Sequence, residues 1–358
     1  MGTFWASGDA ARKGLNPYGL YPFTFRPHAF YKDGPIVYDP NLNPPALLPL
    51  FSFIARFPLP RVAQVWRILS ALMVLVTTAG LVWRYRIERK QVWWLLTGGA
   101  VISTFSLQQS YSLLFGIAAL AWCLLDSDRE IEAGICLGVL CAIKPNFLLW
   151  PVALALARRR KSLPATLTVF AVLSVIPIIA YGPAVYPEWL RATGVDSHSI
   201  FPSDVSLIGN ATRWGARAVG YALSGALLVI TCILAKLGRP TLREVSGFAI
   251  CAAILCSPLA WMHYVLILAP VLVSRVWTRP QQFAALLLWV IPVLLEPSAA
   301  GASHWSLAIR GSGYLAAFLI LYCGFARESL RQFRLRLIAK HKTDRTTDDA
   351  LIEHGNTL

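Results

Sequence analysis

Three places in the chain set strongly polar side chains inside otherwise apolar runs. Lys144 sits in AIKPNF, His263 in SPLAWMHY behind Pro258, and Gln108 with Gln109 interrupts an apolar helix pair. An ammonium, an imidazole and two carboxamides suit related work, which is to hold a negative charge or move a proton where water is scarce. Polar groups surrounded by hydrocarbon are costly, so each is a site hypothesis by default, against the plain alternative of a long side chain snorkelling from a helix end. A fourth group lies between Gly8 and Pro60, a stretch too polar and too rich in proline for a membrane helix. It carries Tyr18, Tyr21, Phe25, Tyr31 and Tyr38 among Asn16, Asp33, Asp39, Asn41 and Asn43. Rings among amides and carboxylates suit a sugar or a lipid headgroup; the bland reading is an interfacial aromatic belt.

Other chemistries lack their residues. Asp126-Ser127-Asp128 resembles the metal-binding acidic triplet of many sugar-nucleotide transferases, but on a short turn beside Arg129 and Glu130 it reads as a solvated corner. Walker, dinucleotide-binding and His-Glu-x-x-His motifs do not occur. All seven cysteines lie in apolar runs without a Cys-x-x-Cys pair and read as small buried hydrophobes. Neither metal nor cofactor is expected.

The elements that must position these residues are membrane helices. The chain is 56% hydrophobic and only 14% charged, which leaves too little polar surface to coat a soluble globule of 358 residues. The net charge of +15 would fit a nucleic-acid partner if it were patched on one surface, but it falls in clusters between the apolar runs. Arg84 to Lys90, Arg158 to Lys161, Lys236 to Arg243, Arg275 with Arg279, and the tail from Arg327 each follow such a run, as retained cytoplasmic loops do. Nucleic-acid binding is therefore not expected. With the clusters as inside markers, the runs Val62–Trp83, Val92–Leu107, Tyr111–Leu125, Ile131–Ile143, Phe147–Ala157, Leu163–Tyr181, Val219–Leu234, Val245–Cys256, Trp261–Val273, Phe283–Leu295 and Tyr314–Phe325 thread consistently, with residues 182–217 as a second outer loop. The expected fold is an all-α polytopic membrane protein of about eleven crossing or part-crossing helices. Its regions are an external aromatic loop over 1–60, a helical bundle over 61–326 and a cytosolic basic tail over 327–358.

The succession FWASGDAARKGLNPYGLY, NPPALLPLFSFIARFPLP, the Gln-Gln turn, GVLCAIKPNFLLWPVALALARRR and SPLAWMHYVLILAPVL, from about Phe4 to Val273, resembles glycosyltransferase family 87. That resemblance implies a membrane mannosyltransferase with a bundle of the GT-C type, taking mannose from a polyprenol phosphate at the outer face without a nucleotide site. It implies a carboxylate base for the acceptor hydroxyl and cationic or donor groups for the leaving phosphate. The family histidine maps onto His263 beside Trp261, with Tyr264 where a second histidine commonly follows, and the lysine before proline maps onto Lys144. The family aspartate precedes the FWA segment and would fall just ahead of Met1, so either a first helix with that base precedes this sequence or Asp9, Asp33 or Asp39 has taken its role.

The expected site is therefore His263 and Asp39 as catalytic groups, with Asn16, Tyr18, Gln109, Lys144 and Trp261 binding substrate. The expected partners are a polyprenol-phosphate sugar donor, a lipid or glycan acceptor and membrane lipids. A multi-pass place in a bacterial plasma membrane with a cytoplasmic C-terminus follows. A transporter or flippase is the competing class, since polar residues near broken helices would suit it too.

Overall fold

The structure, a computed structural model, describes residues 1–21, 25–27, 36–38, 41–196, 204–295, 308–309, 311–327, 329–331 and 333–334. Its helices follow the apolar runs. In chain order they are α1 (Gly2–Arg12), α2 (Leu48–Ile54), α3 (Leu59–Tyr85), α4 (Arg89–Thr97), α5 (Gly99–Ser106), α6 (Tyr111–Asp126), α7 (Glu130–Ile143), α8 (Leu149–Leu156), α9 (Ser162–Tyr181), α10 (Val185–Asp196), α11 (Leu207–Arg213), α12 (Arg217–Leu237), α13 (Leu242–Leu255), α14 (Val265–Val273) and α15 (Arg279–Leu295). Residues 311–327 are helical as well.

Among the described residues, α3, α9 and α12 are long and apolar enough to cross a membrane. Their outward faces carry Val76, Ile179 and Val229, at 68%, 80% and 58% exposure, a surface that hydrocarbon tolerates and water does not. The remaining helices are shorter and more deeply packed. Among the described residues, three full-length spans thus stand beside a core of broken or part-length helices. The run expected as one helix from Val92 to Leu107 is divided at Gly98, whose backbone is extended (ψ 147°). A Cβ there would sit 2.6 Å from the Trp94 carbonyl oxygen.

Small residues let these helices approach. Gly134 and Gly138 lie one turn apart on α7, and α9 packs directly on that face. A Cβ on Gly134 would collide with the Ser162 carbonyl, and one on Gly138 would come within 2.6 Å of the Val169 Cβ. Thr166 Oγ1 on α9 donates to the Gly134 carbonyl at 3.1 Å. Close approach plus an interhelical hydrogen bond is the usual basis of helix association where lipid competes for apolar contact. On α3 the stripe Ser70, Val74, Thr78 is buried at i, i+4 spacing, and Ser112 of α6 donates to the Ser70 hydroxyl at 3.0 Å.

The basic clusters meet at one end. Arg84 reaches Asp126 at 3.5 Å, Arg159 reaches Asp128 at 3.1 Å, and Gln91 donates to the Arg275 carbonyl at 2.9 Å. The acidic triplet is therefore a corner spent on neighbouring arginines, which is why it sits among positive clusters. From there the 20 residues of α9 run about 30 Å to Tyr181, whose hydroxyl donates to Ser52 Oγ of α2 at the other end.

That far end departs from expectation. Residues 1–60 contain helices where a loop was expected: α1 packs on α2, with Phe4 stacked on Phe51 at 4.8 Å, and Gly8 sits so close to the Phe51 carbonyl that a Cβ would collide. Short helices of this kind lack the length of a membrane-spanning hydrophobic run, so composition alone hides them. A small hairpin pairs β1 (Phe25–Pro27) with β2 (Ile36–Tyr38), Phe25 opposite Tyr38. The expected outer loop over 182–217 likewise holds α10 and α11.

Candidate functional site

Three helix breaks converge, and each arises from local sequence. Pro145 drives the residue before it out of the helical region, so Lys144 adopts φ −141°, ψ 86° and α7 stops at Ile143. A 3-10 turn, Pro145–Leu148, then leads into α8. The second break has the same form without a proline at the turn itself: Trp261 is extended (φ −83°, ψ 159°), Met262–Tyr264 form a 3-10 turn, and α14 follows. The third break joins α5 to α6. Gln108 takes the left-handed conformation (φ 51°), its N–H donates to the Phe105 carbonyl at 3.2 Å and that of Gln109 to Thr104 at 3.0 Å. This is a helix ending that glycine usually serves. With its amide oriented for hydrogen bonding, Gln108 accepts from Arg67 Nε and Nη2 at 2.6 and 2.8 Å.

Lys144 and His263 meet through Tyr111. The Lys144 Nζ lies 5.5 Å from the Tyr111 ring centroid and 5.6 Å from that of Tyr264. The His263 ring is 4.0 Å, centroid to centroid, from Tyr111. Among the described residues no carboxylate forms an ion pair with Lys144. The ammonium is thus held by two ring faces, a geometry that stabilises a cation by about 0.5–2 kcal/mol and leaves its charge uncancelled. His263 is 3% exposed, and its Nδ1 has no hydrogen-bond partner among the described residues. The imidazole is covered, because Tyr111 lies against it.

Of the other expected site residues, Gln109 stands two positions before Tyr111 and is half-buried, and α5 packs on the 3-10 turn that bears His263. Trp261 is half-buried at the start of that turn. Asn16 and Tyr18 make their hydrogen bonds elsewhere, in the N-terminal cap. The Asn16 Oδ1 accepts from the Tyr18 N–H at 2.8 Å, and the Tyr18 hydroxyl donates to the Asn43 carbonyl at 3.0 Å. Burial pushes the Tyr18 phenol well above its ordinary range, with Tyr186 and Glu188 adding to the effect. These two residues fix the cap's fold. Asp39 lies outside the described residues. Asp33 lies outside them as well, and Asp9, the third candidate, is paired with Lys13 at 2.6 Å.

Sequence reasoning passed over one residue that positions this site. Asp204 is 2% exposed, and its Oδ1 accepts from the Ser206 and Ala260 N–H groups at 2.9 and 3.0 Å. The Val205 N–H donates to the Ala260 carbonyl at 2.8 Å, and Arg213 donates to the Asp204 carbonyl at 2.9 Å. The loop before α11 is thereby pinned to the residue just ahead of Trp261. Burial raises the Asp204 carboxyl above the usual range, while the two N–H donors and Arg213 draw it back. Its signal in the sequence was faint: one carboxylate among several polar residues of a loop.

The model of the family described as glycosyltransferase family 87 matches residues 41–258. The chain belongs to glycosyltransferase family 87. The match takes in Gln109 and Lys144 and ends at Pro258, five residues before His263. No curated protein and no solved structure matches the chain. Family membership and the apolar spans together make it a membrane glycosyltransferase.

Proposed function

We propose that this family member transfers a sugar, mannose by the family resemblance, from a polyprenol-phosphate donor to a lipid or glycan acceptor at the membrane face bearing the N-terminal cap. The observation that carries the reading is the uncancelled Lys144 ammonium beside His263, where three helices break. A lipid phosphate leaving group accumulates negative charge as the glycosidic bond breaks, and a preorganised cation in a low-dielectric site stabilises that charge more than water would. His263 serves as the second donor once Tyr111 swings aside to admit the phosphate. The acceptor hydroxyl needs a carboxylate to take its proton. Asp39 is the candidate for that role within this chain.

A transporter would also place lysine, glutamine and histidine near broken helices. Membership of a glycosyltransferase family favours transfer chemistry. The test is reconstitution with radiolabelled polyprenol-phosphate mannose and, separately, a nucleotide-activated mannose. Transfer of label to a lipid fraction is expected from the first donor only. Equal use of the nucleotide sugar, or movement of the intact donor across the bilayer without transfer, would overturn the reading.

A further inference from the structure

At the basic end of the molecule a cleft of about 240 Å³ opens between Tyr85, Trp122 and Asp126 on one side and Thr241, Arg243, Ser274 and Arg275 on the other. Its lining offers hydrogen-bond donors and positive charge far beyond what its own acceptors use. The Trp122 indole is 2% exposed, yet its N–H has no acceptor among the described residues. A buried donor left alone costs about 1–3 kcal/mol, so this wall of the cleft is short of acceptors among the described residues.

Arg243 spends two donors on the carbonyls of Val271 and Leu272, at 3.3 and 3.4 Å, and lies 5.2 Å from the Phe325 ring centroid. That fixes the guanidinium in the wall of the cleft. Neither Arg243 nor Arg275 forms an ion pair with a carboxylate among the described residues. The carboxylate of the lining, Asp126, already accepts from the Tyr85 hydroxyl at 3.1 Å and from Arg84 at 3.5 Å. Burial and the neighbouring Arg275 lower Arg243 from its ordinary value to about 10, against a smaller opposing pull from Glu244, so the two cations are near enough to repel. The N-terminus of α13 is not the attractant, because Thr241 and Glu244 cap it reciprocally.

We propose that this cleft is a binding site for a phosphate-bearing anion, supplied by a lipid headgroup of the adjoining leaflet. A phosphodiester between Arg243 and Arg275 would relieve their repulsion, lie against the wall that Trp122 completes, and leave its acyl chains against the apolar faces of the bundle. Basic pockets between helices on the side that carries the positive clusters are suited to such headgroups. The site lies at the end opposite to the Lys144–His263 cluster and does not depend on the glycosyl-transfer reading.

The test uses the purified full chain in an uncharged detergent, titrated with phosphatidylglycerol, phosphatidylcholine or inorganic phosphate. The melting midpoint and native mass spectrometry report binding. Saturable binding of phosphatidylglycerol but not phosphatidylcholine is expected. Arg275→Gln, an exposed position that leaves the core intact, and Arg243→Gln should each weaken it roughly tenfold, the order expected for losing one hydrogen bond to a charged group. If inorganic phosphate competes at similar concentrations, the anion is captured as such and a soluble phosphate is the source; if it does not, the headgroup on its lipid is required. Equal binding of both lipids, or unchanged affinity in both variants, would overturn the proposal.

Discussion

Lys144 owes its conformation to its neighbour in sequence and its electrostatics to its neighbours in space. Pro145 sets the break that takes the ammonium off α7, and Tyr111 with Tyr264 then supplies ring faces in place of a counter-ion. The proposed phosphate role makes this arrangement testable in steps. Lys144→Gln and His263→Ala should each lower kcat/KM for sugar transfer by about 100- to 1,000-fold, as expected for removing one preorganised donor, with unchanged yield of folded protein. Near-normal transfer by either variant would mark that residue as a helix-end side chain and nothing more. Tyr111→Phe keeps the ring face and should stay close to wild type. Tyr111→Leu removes it and should lose roughly tenfold in kcat/KM, about the value of a desolvated cation–π contact. Lys144 and His263 were legible in the sequence because polar residues in apolar runs are conspicuous. Asp204 was not, because its importance comes from accepting two backbone N–H groups, and nothing in a loop's composition announces that.

Helices were legible where their hydrophobic runs are long. The boundaries of α3, α6, α7, α9 and α12 lie within a few residues of the runs read from the sequence. Those of α1, α10 and α11 were hidden, since a helix of 7 to 12 residues with mixed polarity leaves no continuous apolar signal. The packing between elements was also out of reach of hydropathy, because Gly134 and Gly138 count as weakly apolar whichever helix they face. Their role predicts that Gly138→Leu forces α7 and α9 apart and destabilises the protein by about 1–3 kcal/mol, the usual penalty of overpacking. A thermal melt of the purified variant reads this directly; an unchanged midpoint would mean that the two helices slide without cost. Asp204→Ala should destabilise by a comparable amount, because the Ser206 and Ala260 N–H groups lose their acceptor in a buried place. It should lower transfer as well, since Ala260 leads directly into the turn that carries His263. Asp204→Asn retains a side-chain acceptor oxygen and should recover most of both losses.

On the scale of the whole molecule, the fold is polar in the directional sense: one end gathers cations and the other gathers aromatics, amides and the helix breaks. Charge carries the argument for orientation. Basic loops are retained on the cytoplasmic side during insertion, and here four separate basic groups, distant in sequence, lie at the same end through Arg84–Asp126, Arg159–Asp128, Gln91–Arg275 and the cleft holding Arg243. The helices that leave this end deliver α2, the 3-10 turn of His263 and the N-terminal cap to the far one, where Tyr181 holds Ser52 and Trp189 holds the Leu42 carbonyl at 3.1 Å. On the orientation and donor we propose, a phosphate at the outer leaflet would meet Lys144 and His263 without crossing the bilayer. The prediction is a two-sided labelling pattern. In a background with the seven native cysteines replaced, Lys13→Cys in the cap and Arg160→Cys at the basic end are both surface positions. A membrane-impermeant maleimide added to intact cells should label the first and spare the second, and permeabilised cells should label both. Labelling of the two positions from the same side would contradict the antiparallel run of α9 between them, and labelling of Arg160→Cys alone from outside would invert the orientation and remove the outer-leaflet donor from reach of the site.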